Sequence, residues 1–184
     1  VTPLSKRGEK SPERERNAKR IRKGNYHYAL VLHKQGDHEQ AVRELLNCEP
    51  TTSTLALLTK AYADSGDFDA ALACSNRLVE ADTLRAESYY LQATILLERN
   101  RNDEAMPVLR RALFLAPGLI LAHVAMANVQ RNRGKIQNAR RHLDNALTLL
   151  QNLPDDNIVA ESGGLPAGRL REMILLIKRR EYTE

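Results

Sequence analysis

The sequence predicts an all-α fold of stacked helix-turn-helix repeats, and three observations lead to this prediction. Aromatic residues make up only 4% of the 184 residues and tryptophan is absent, a composition that favours helix over sheet. The segment SGDFDAAL at 65–72 has near-copies in QGDHEQAV at 35–42 and RNRNDEAM at 99–106, and a looser copy in NRGKIQNAR at 132–140. The turn residues and the alanines five positions later both recur at intervals of 30, 34 and 34 residues. A fixed period in this range is typical of stacked supersecondary units.

Each copy is predicted to join two helices through a polar turn. A Gly or Asn ends the first helix, because the left-handed backbone of a helix end costs these residues least. Asp37, Asp67 and Asp103 then lie where a carboxylate can accept an unpaired N–H at the start of the second helix. The alanine faces the first helix at close approach, where a larger side chain would force the pair apart. The structural repeat positions are Gly36, Ala41, Gly66, Ala71, Ala105, Pro117, Gly134 and Ala139.

The predicted organisation consists of an N-terminal segment, four repeats, a loop and a capping helix. The first repeat is about four residues short, because Pro50 arrives early. The loop is predicted from its cluster of Pro, Asp and Gly. The boundaries are 1–23 for a basic linker or helix extension, 24–50, 52–85, 86–119 and 120–151 for the repeats, 152–165 for the loop and 166–181 for the capping helix.

The capping helix is expected because the last unit of a repeat array needs a cover for its exposed face. Pro166 suits the first turn of a helix. Leu170, Met173, Ile174 and Ile177 are predicted to form its apolar face.

The net charge of +5 resides in the N-terminal segment. Residues 1–23 hold nine Lys and Arg against three Glu, whereas the rest of the chain holds nineteen against twenty acidic residues. Without interleaved aromatics such a segment is expected to be a solvated linker, so no nucleic-acid partner is predicted. No apolar run approaches the roughly 18–20 residues of a membrane span or forms the core of a secretory signal. A cytoplasmic chain is therefore expected, and its basic start without methionine suggests a piece of a longer protein.

No catalytic, cofactor-binding or metal-binding constellation is predicted. The five histidines show no HExxH or other metal-ligand spacing. His123 is expected to be packed in the core and His38 to be exposed. Cys48 and Cys74, 26 residues apart, are expected to be inert core thiols. The chain is predicted not to be an enzyme and to hold no cofactor.

The repeat markers resemble those of tetratricopeptide repeats (TPR) over about residues 22–151. This resemblance implies a right-handed solenoid whose first helices line a concave groove that holds a protein or peptide ligand. Carried over position by position, the groove face would consist of Tyr26, Leu30, His33, Lys60, Tyr90, Thr94, Asn128 and Arg131. Such a mildly apolar groove suits a peptide or helix with apolar anchors. For Leu97 and Val124 two roles stay open, lining the groove or covering the capping helix.

Three motifs in the second half are similar to the C-terminal region of CheR-type chemoreceptor methyltransferases that carry TPR. They are ALFLAP at 112–117, ARRHLDNALTLL at 139–150 and GLPAGRL at 164–170. The resemblance implies a regulatory module of a protein-glutamate methyltransferase, with S-adenosylmethionine bound only by a missing catalytic domain. Its partner would be a chemoreceptor, a signalling protein or that catalytic domain. The alternative is a free-standing TPR scaffold or assembly factor with a basic tail.

Overall fold

The computed structural model describes residues 25–180, and these residues form nine α-helices and no β-strand. The helices are α1 at 25–34, α2 His38–Leu46, α3 Thr52–Asp64, α4 Phe68–Ala81, α5 Ala86–Glu98, α6 Asn102–Leu115, α7 Ile120–Asn132, α8 Ile136–Gln151 and α9 Ala167–Arg180. The predicted all-α class is confirmed. The predicted linker at 1–23 lies outside the described residues.

Four left-handed residues end the helices α1, α3, α5 and α7. Gly36, Gly66 and Gly134 have φ angles of 87°, 85° and 71°, and Asn100 has 55°. In each turn the next residue donates its N–H to the carbonyl five positions earlier, as Asp67 does to Tyr62 at 2.9 Å. These bonds satisfy carbonyl groups that the helix end leaves without a partner. The left-handed turn therefore redirects the chain into the second helix.

The aspartates after these turns take two different roles. Asp37 Oδ1 accepts the N–H of Gln40 at 3.1 Å, and Asp67 Oδ1 accepts that of Ala70 at 3.1 Å. Each bond satisfies one unpaired donor at a helix start, a contribution of about 1 kcal/mol. Asp103 does not cap α6, which begins at Asn102. Its carboxylate lies 3.5 Å from the guanidinium of Arg133 instead.

The described residues belong to two compact units, which divide within α4 between Ala71 and Leu72. In unit 1, α2 packs against α3. The fully buried residues include Ala41 of α2, Ala61 of α3 and Ala71 of α4, each with no exposed surface. Helix α2 has 9 residues, whereas α8 in unit 2 has 16. The first helical pair therefore has a shorter second helix and less surface to bury.

Unit 2 contains two core clusters that meet at α7. One joins α5, α6 and α7 through buried residues such as Ala93, Leu109 and Met126. The other joins α7, α8 and α9 through residues such as Leu143 and Ile174. Ala105 and Ala139 are fully buried or nearly so at 0% and 1% exposure. These clusters hold the first helices α5 and α7 in fixed positions.

The segment between α8 and α9 is a folded loop that contributes to the core. Val159 is 4% exposed and joins the α7–α9 cluster. The Val159 N–H donates to the Leu165 carbonyl at 3.1 Å, and the Ala167 N–H donates to that of Asn157 at 2.8 Å. An isolated antiparallel bridge joins Ile158 to Pro166. We call this loop at 153–166 together with α9 the C-terminal cover.

The capping helix buries a slightly different face from the predicted one. Leu170 and Ile174 are buried, and Ile177 packs at the edge of the same cluster. Met173 is 45% exposed, so its placement on the buried face was wrong. Ala167 takes its place with no exposed surface. The residues at 167, 170, 174 and 177 follow the helical period more closely than a face that includes 173.

Candidate functional site

The groove residues predicted in unit 1 lie half-buried on α1 and α3. Tyr26, Leu30 and His33 are on α1, and Lys60 is on α3. Burial lowers the pKa of His33, and the positive charge of Lys60 acts in the same direction. The ends of α1 and α3 lie close together, because Nε2 of His33 is 3.6 Å from Oδ2 of Asp64.

The groove residues predicted in unit 2 lie on α5 and α7. Tyr90, Thr94 and Asn128 are half-buried, and Arg131 is exposed at the end of α7. Tyr90 packs against the cluster to which α7 contributes Met126 and Val129, so the two helices are neighbours. We call the surface formed by Tyr90, Thr94, Asn128 and Arg131 the α5–α7 face.

Tyr90 on the α5–α7 face has a hydroxyl with a raised pKa. Burial raises the pKa of the Tyr90 hydroxyl to about 12, with a further contribution from the negative charge of Glu161. Glu161 lies in the loop and has a φ of 61°, in the left-handed region. The negative charge of this loop residue therefore acts on Tyr90, an effect that the sequence pattern did not indicate.

The structure separates the roles of Leu97 and Val124. Leu97 packs against the α5–α7 cluster. Val124 packs against the cluster that contains Val159, Leu170 and Ile174. Val124 thus packs with the core shared by α7, α8 and the C-terminal cover, whereas Leu97 packs with the core of α5, α6 and α7.

The GLPAGRL segment has a packing role at the start of α9. A Cβ atom on Gly168 would lie 3.0 Å from the Asp155 Cβ, so only glycine fits this approach without a shift. The next residue after the segment, Arg171, donates to the carbonyl oxygens of Leu150 at 2.8 Å and Leu153 at 3.2 Å and forms an ion pair with Asp155. These contacts fasten α9 to the end of α8.

Three polar side chains that the sequence pattern did not connect meet in unit 1. His33 at the end of α1 and His38 at the start of α2 have their Nδ1 atoms 3.2 Å apart. The Nε2 atom of His33 lies 3.6 Å from Oδ2 of Asp64, the last residue of α3. One ligand atom from each residue lies within 4.8 Å of the others. We call these three residues the histidine–aspartate cluster.

The cluster was missed at the level of sequence because the relevant spacing crosses a turn. Residues five apart within one helix do not share a face, but the Gly36 turn brings His33 and His38 together. His38 is half-buried, so the expected exposure was wrong. The signal available in the sequence was a histidine on each side of a helix–Gly–Asp turn.

A second histidine pair lies in unit 2. His123 is 8% exposed, as expected for a packed residue. Its Nδ1 atom lies 3.1 Å from that of His142, and its Nε2 atom lies 2.9 Å from the Pro117 carbonyl oxygen. Burial lowers the pKa of His142, and His123 lowers it further.

Sequence comparison identifies the repeats. Two family models described as tetratricopeptide repeat match the chain, one at residues 57–120 and one at 26–46. No curated protein sequence matches the chain significantly. Among the described residues, no helix combines the length and the apolar character that a membrane span requires.

Solved structures with a similar fold agree with these matches. A crystal structure of MamA has a TM-score of 0.67 at 16% identity, covering 76% of this chain and 84% of that chain. YrrB, "a TPR protein with an unusual peptide-binding site", has a TM-score of 0.63 at 16% identity. The match covers 71% of this chain and 70% of the YrrB chain. SycD, the type III secretion translocator chaperone of Yersinia enterocolitica, has a TM-score of 0.59 at 15% identity. The match covers 69% of this chain and 87% of the SycD chain. At these identities the likeness concerns the fold. The chain therefore carries tetratricopeptide repeats and has an all-α TPR fold.

Proposed function

We propose that this chain is a protein–protein interaction module that binds a peptide or protein segment on the α5–α7 face. The observation that supports this proposal is the mixture of side chains on two neighbouring first helices. Asn128 offers both amide donors and a carbonyl acceptor to a ligand backbone, and Arg131 offers an exposed guanidinium to a ligand carboxylate. Tyr90, which packs against the core of α5, α6 and α7, supplies a rigid aromatic surface.

Two structural neighbours support this type of ligand. YrrB is a TPR protein with a peptide-binding site, and SycD is a chaperone of a secreted translocator. Half-buried side chains on rigid helices suit such binding, because little conformational entropy is lost when a ligand covers them. Tyr26, Leu30, His33 and Lys60 form the corresponding surface proposed for unit 1.

Selection of binding peptides followed by paired variants tests the proposal. Peptides selected from a random library on the 184-residue chain are measured by fluorescence anisotropy. The double variant Asn128→Ala/Arg131→Ala should weaken binding by about tenfold or more, because one anchor residue is worth more than about 1 kcal/mol. The matched control Arg141→Ala/Asn145→Ala removes the same two residue types from exposed positions on α8 and should leave the affinity unchanged.

Two outcomes contradict the proposal. One is a library that yields no peptide with saturable binding. The other is an equal loss of affinity in both double variants, which would indicate a general charge effect. Thermal unfolding of each variant shows whether the fold is intact, so that a loss of binding can be assigned to the surface.

A second candidate is a regulatory module of a CheR-type methyltransferase, which only the three sequence motifs favour. The contacts of Gly168 with Asp155, and of the adjoining Arg171 with the end of α8, give the third motif a packing explanation that requires no methyltransferase. The gene sequence upstream of Val1 tests this candidate. A coding region that continues into an S-adenosylmethionine-binding domain would support it, and the lack of one would exclude it.

A further inference from the structure

We propose that His33, His38 and Asp64 form a binding site for a divalent transition-metal ion such as Zn²⁺. This inference concerns unit 1 and is independent of the ligand surface proposed on α5 and α7. It rests on three side chains from three helices, whose ligand atoms lie within 4.8 Å of one another.

The separation of the two imidazoles fits a shared metal ion. Two nitrogens bound to one tetrahedral zinc ion at about 2.0–2.1 Å lie roughly 3.3 Å apart. The Nδ1 atoms of His33 and His38 are 3.2 Å apart, so both could bind the same ion with little movement.

The carboxylate of Asp64 supplies the third ligand. It ends α3 and its side chain is 51% exposed. Its Oδ2 atom lies 3.6 Å from Nε2 of His33, the ring nitrogen that does not face His38, so the carboxylate must turn towards the two Nδ1 atoms to bind the same ion. An exposed carboxylate at a helix end can rotate towards a cation at low cost. Two imidazoles and one carboxylate favour zinc, copper or nickel over magnesium and calcium, which prefer oxygen ligands. One position of a tetrahedral zinc ion would then be filled by water.

The histidine pair of unit 2 provides a comparison within the same chain. His123 and His142 have nearly the same Nδ1–Nδ1 distance, 3.1 Å. Among the described residues, however, this pair has no third His, Cys, Asp or Glu ligand atom close enough to complete a set. If two adjacent imidazoles were sufficient, both pairs would bind the ion; if the carboxylate is required, only the cluster in unit 1 would.

The proposed ion would connect three helices of unit 1. His33 lies on α1, His38 on α2 and Asp64 on α3, so the metal would fasten the first helical pair to the next helix. This is the pair with the 9-residue second helix. A ligand that binds only the folded state raises the unfolding temperature to an extent that grows with its affinity. The predicted role of the ion is therefore stabilisation of the short first repeat.

Isothermal titration of the tag-free 184-residue chain with Zn²⁺ tests the site. We expect one ion per chain and a rise in Tm on zinc addition, with no comparable effect of Mg²⁺. His38→Gln and Asp64→Asn should each lower the zinc affinity by about tenfold or more and remove the rise in Tm. His142→Gln, the matched control, should bind zinc like the wild type. Asp64 is exposed, so its variant remains informative if His38→Gln does not fold.

The proposal is overturned if the wild-type chain shows no saturable zinc binding at concentrations of about 100 μM. It is also overturned if Asp64→Asn binds zinc as the wild type does, or if His142→Gln loses as much affinity as His38→Gln. The first result would leave a hydrogen-bonded histidine pair, and the others would place the ion elsewhere.

Discussion

The imidazole of His123 joins His142 to the backbone of Pro117 through two hydrogen bonds. Nε2 of His123 lies 2.9 Å from the Pro117 carbonyl oxygen, which can only accept, so this nitrogen carries the proton. The Nδ1 atom of a neutral His123 must then accept, and His142 must donate from its own Nδ1 at 3.1 Å. Both hydrogen bonds can therefore form while the two imidazoles are neutral.

This arrangement predicts a loss of stability in acid. Burial lowers the pKa of His142, and His123 lowers it further, so the unfolded chain takes up a proton more readily than the folded one. The stability contribution is complete above the ordinary histidine pKa of 6.5 and is lost as the pH falls below it. We expect Tm to decrease as the solution is acidified through this range and His142→Phe to reduce the decrease. His27→Phe changes an exposed histidine on α1 and should leave the decrease in Tm as it is in the wild type. An unchanged pH profile in His142→Phe would contradict this prediction.

A substitution at Ala105 tests whether the paired helices α5 and α6 are in close contact there. It has no exposed surface, and an arginine there would place an unpaired charge in the core of α5 and α6. Ala105→Arg should lower the free energy of unfolding by at least about 3 kcal/mol, measured by urea denaturation. Ala73→Arg makes the same change at an exposed helical position on α4 and should alter stability by less than about 0.5 kcal/mol. Similar losses in both variants would show that Ala105 is not a contact position.

A substitution at Gly168 tests how tightly the loop and α9 of the C-terminal cover pack against each other. Alanine at this helical position would gain about 1 kcal/mol of helix propensity, but its Cβ would lie 3.0 Å from that of Asp155. We expect the steric cost to dominate and Gly168→Ala to lower the urea midpoint. Gly118→Ala is the control, because its Cβ would meet only Leu149 Cδ2 at 4.0 Å. A stabilised Gly168→Ala variant would mean that the loop moves away freely.

The raised pKa of Tyr90 predicts that the folded chain loses stability in alkaline solution. Burial and Glu161 raise its pKa to about 12 in the folded chain. Between pH 10 and 12 the unfolded chain loses this proton while the folded chain retains it, so stability decreases as the pH rises. Tyr90→Phe should unfold at a higher pH than the wild type. Tyr28→Phe, at a position 48% exposed, should not differ from it. Equal alkaline midpoints in all three chains would contradict the burial of the Tyr90 hydroxyl.

Local rules account for the features that the sequence predicted well. The left-handed conformation of Gly66 and the caps formed by Asp37 and Asp67 depend on residues within a few positions. Helix periodicity also predicted that Leu170 and Ile174 share a face. Such features need only the backbone geometry of one turn or one helix.

Features that depend on contacts between distant segments could not be predicted from the sequence pattern. The loop was expected from its Pro, Asp and Gly residues, but nothing in them shows that Val159 enters the core or that the charge of Glu161 acts on Tyr90. The meeting of Asp64 with His33 requires the packing of α3 beside α1. Side-chain meetings of this kind are set by tertiary packing, which periodicity does not encode.

The proposed binding function is tested most directly by mapping a selected peptide on the chain with amide chemical shifts. If the α5–α7 face is the ligand surface, the largest shifts should occur at Thr94, Asn128 and Arg131, and the exposed residues Arg110 of α6 and Arg141 of α8 should change little. Shifts concentrated on α6 and α8, with α5 and α7 unaffected, would contradict the account.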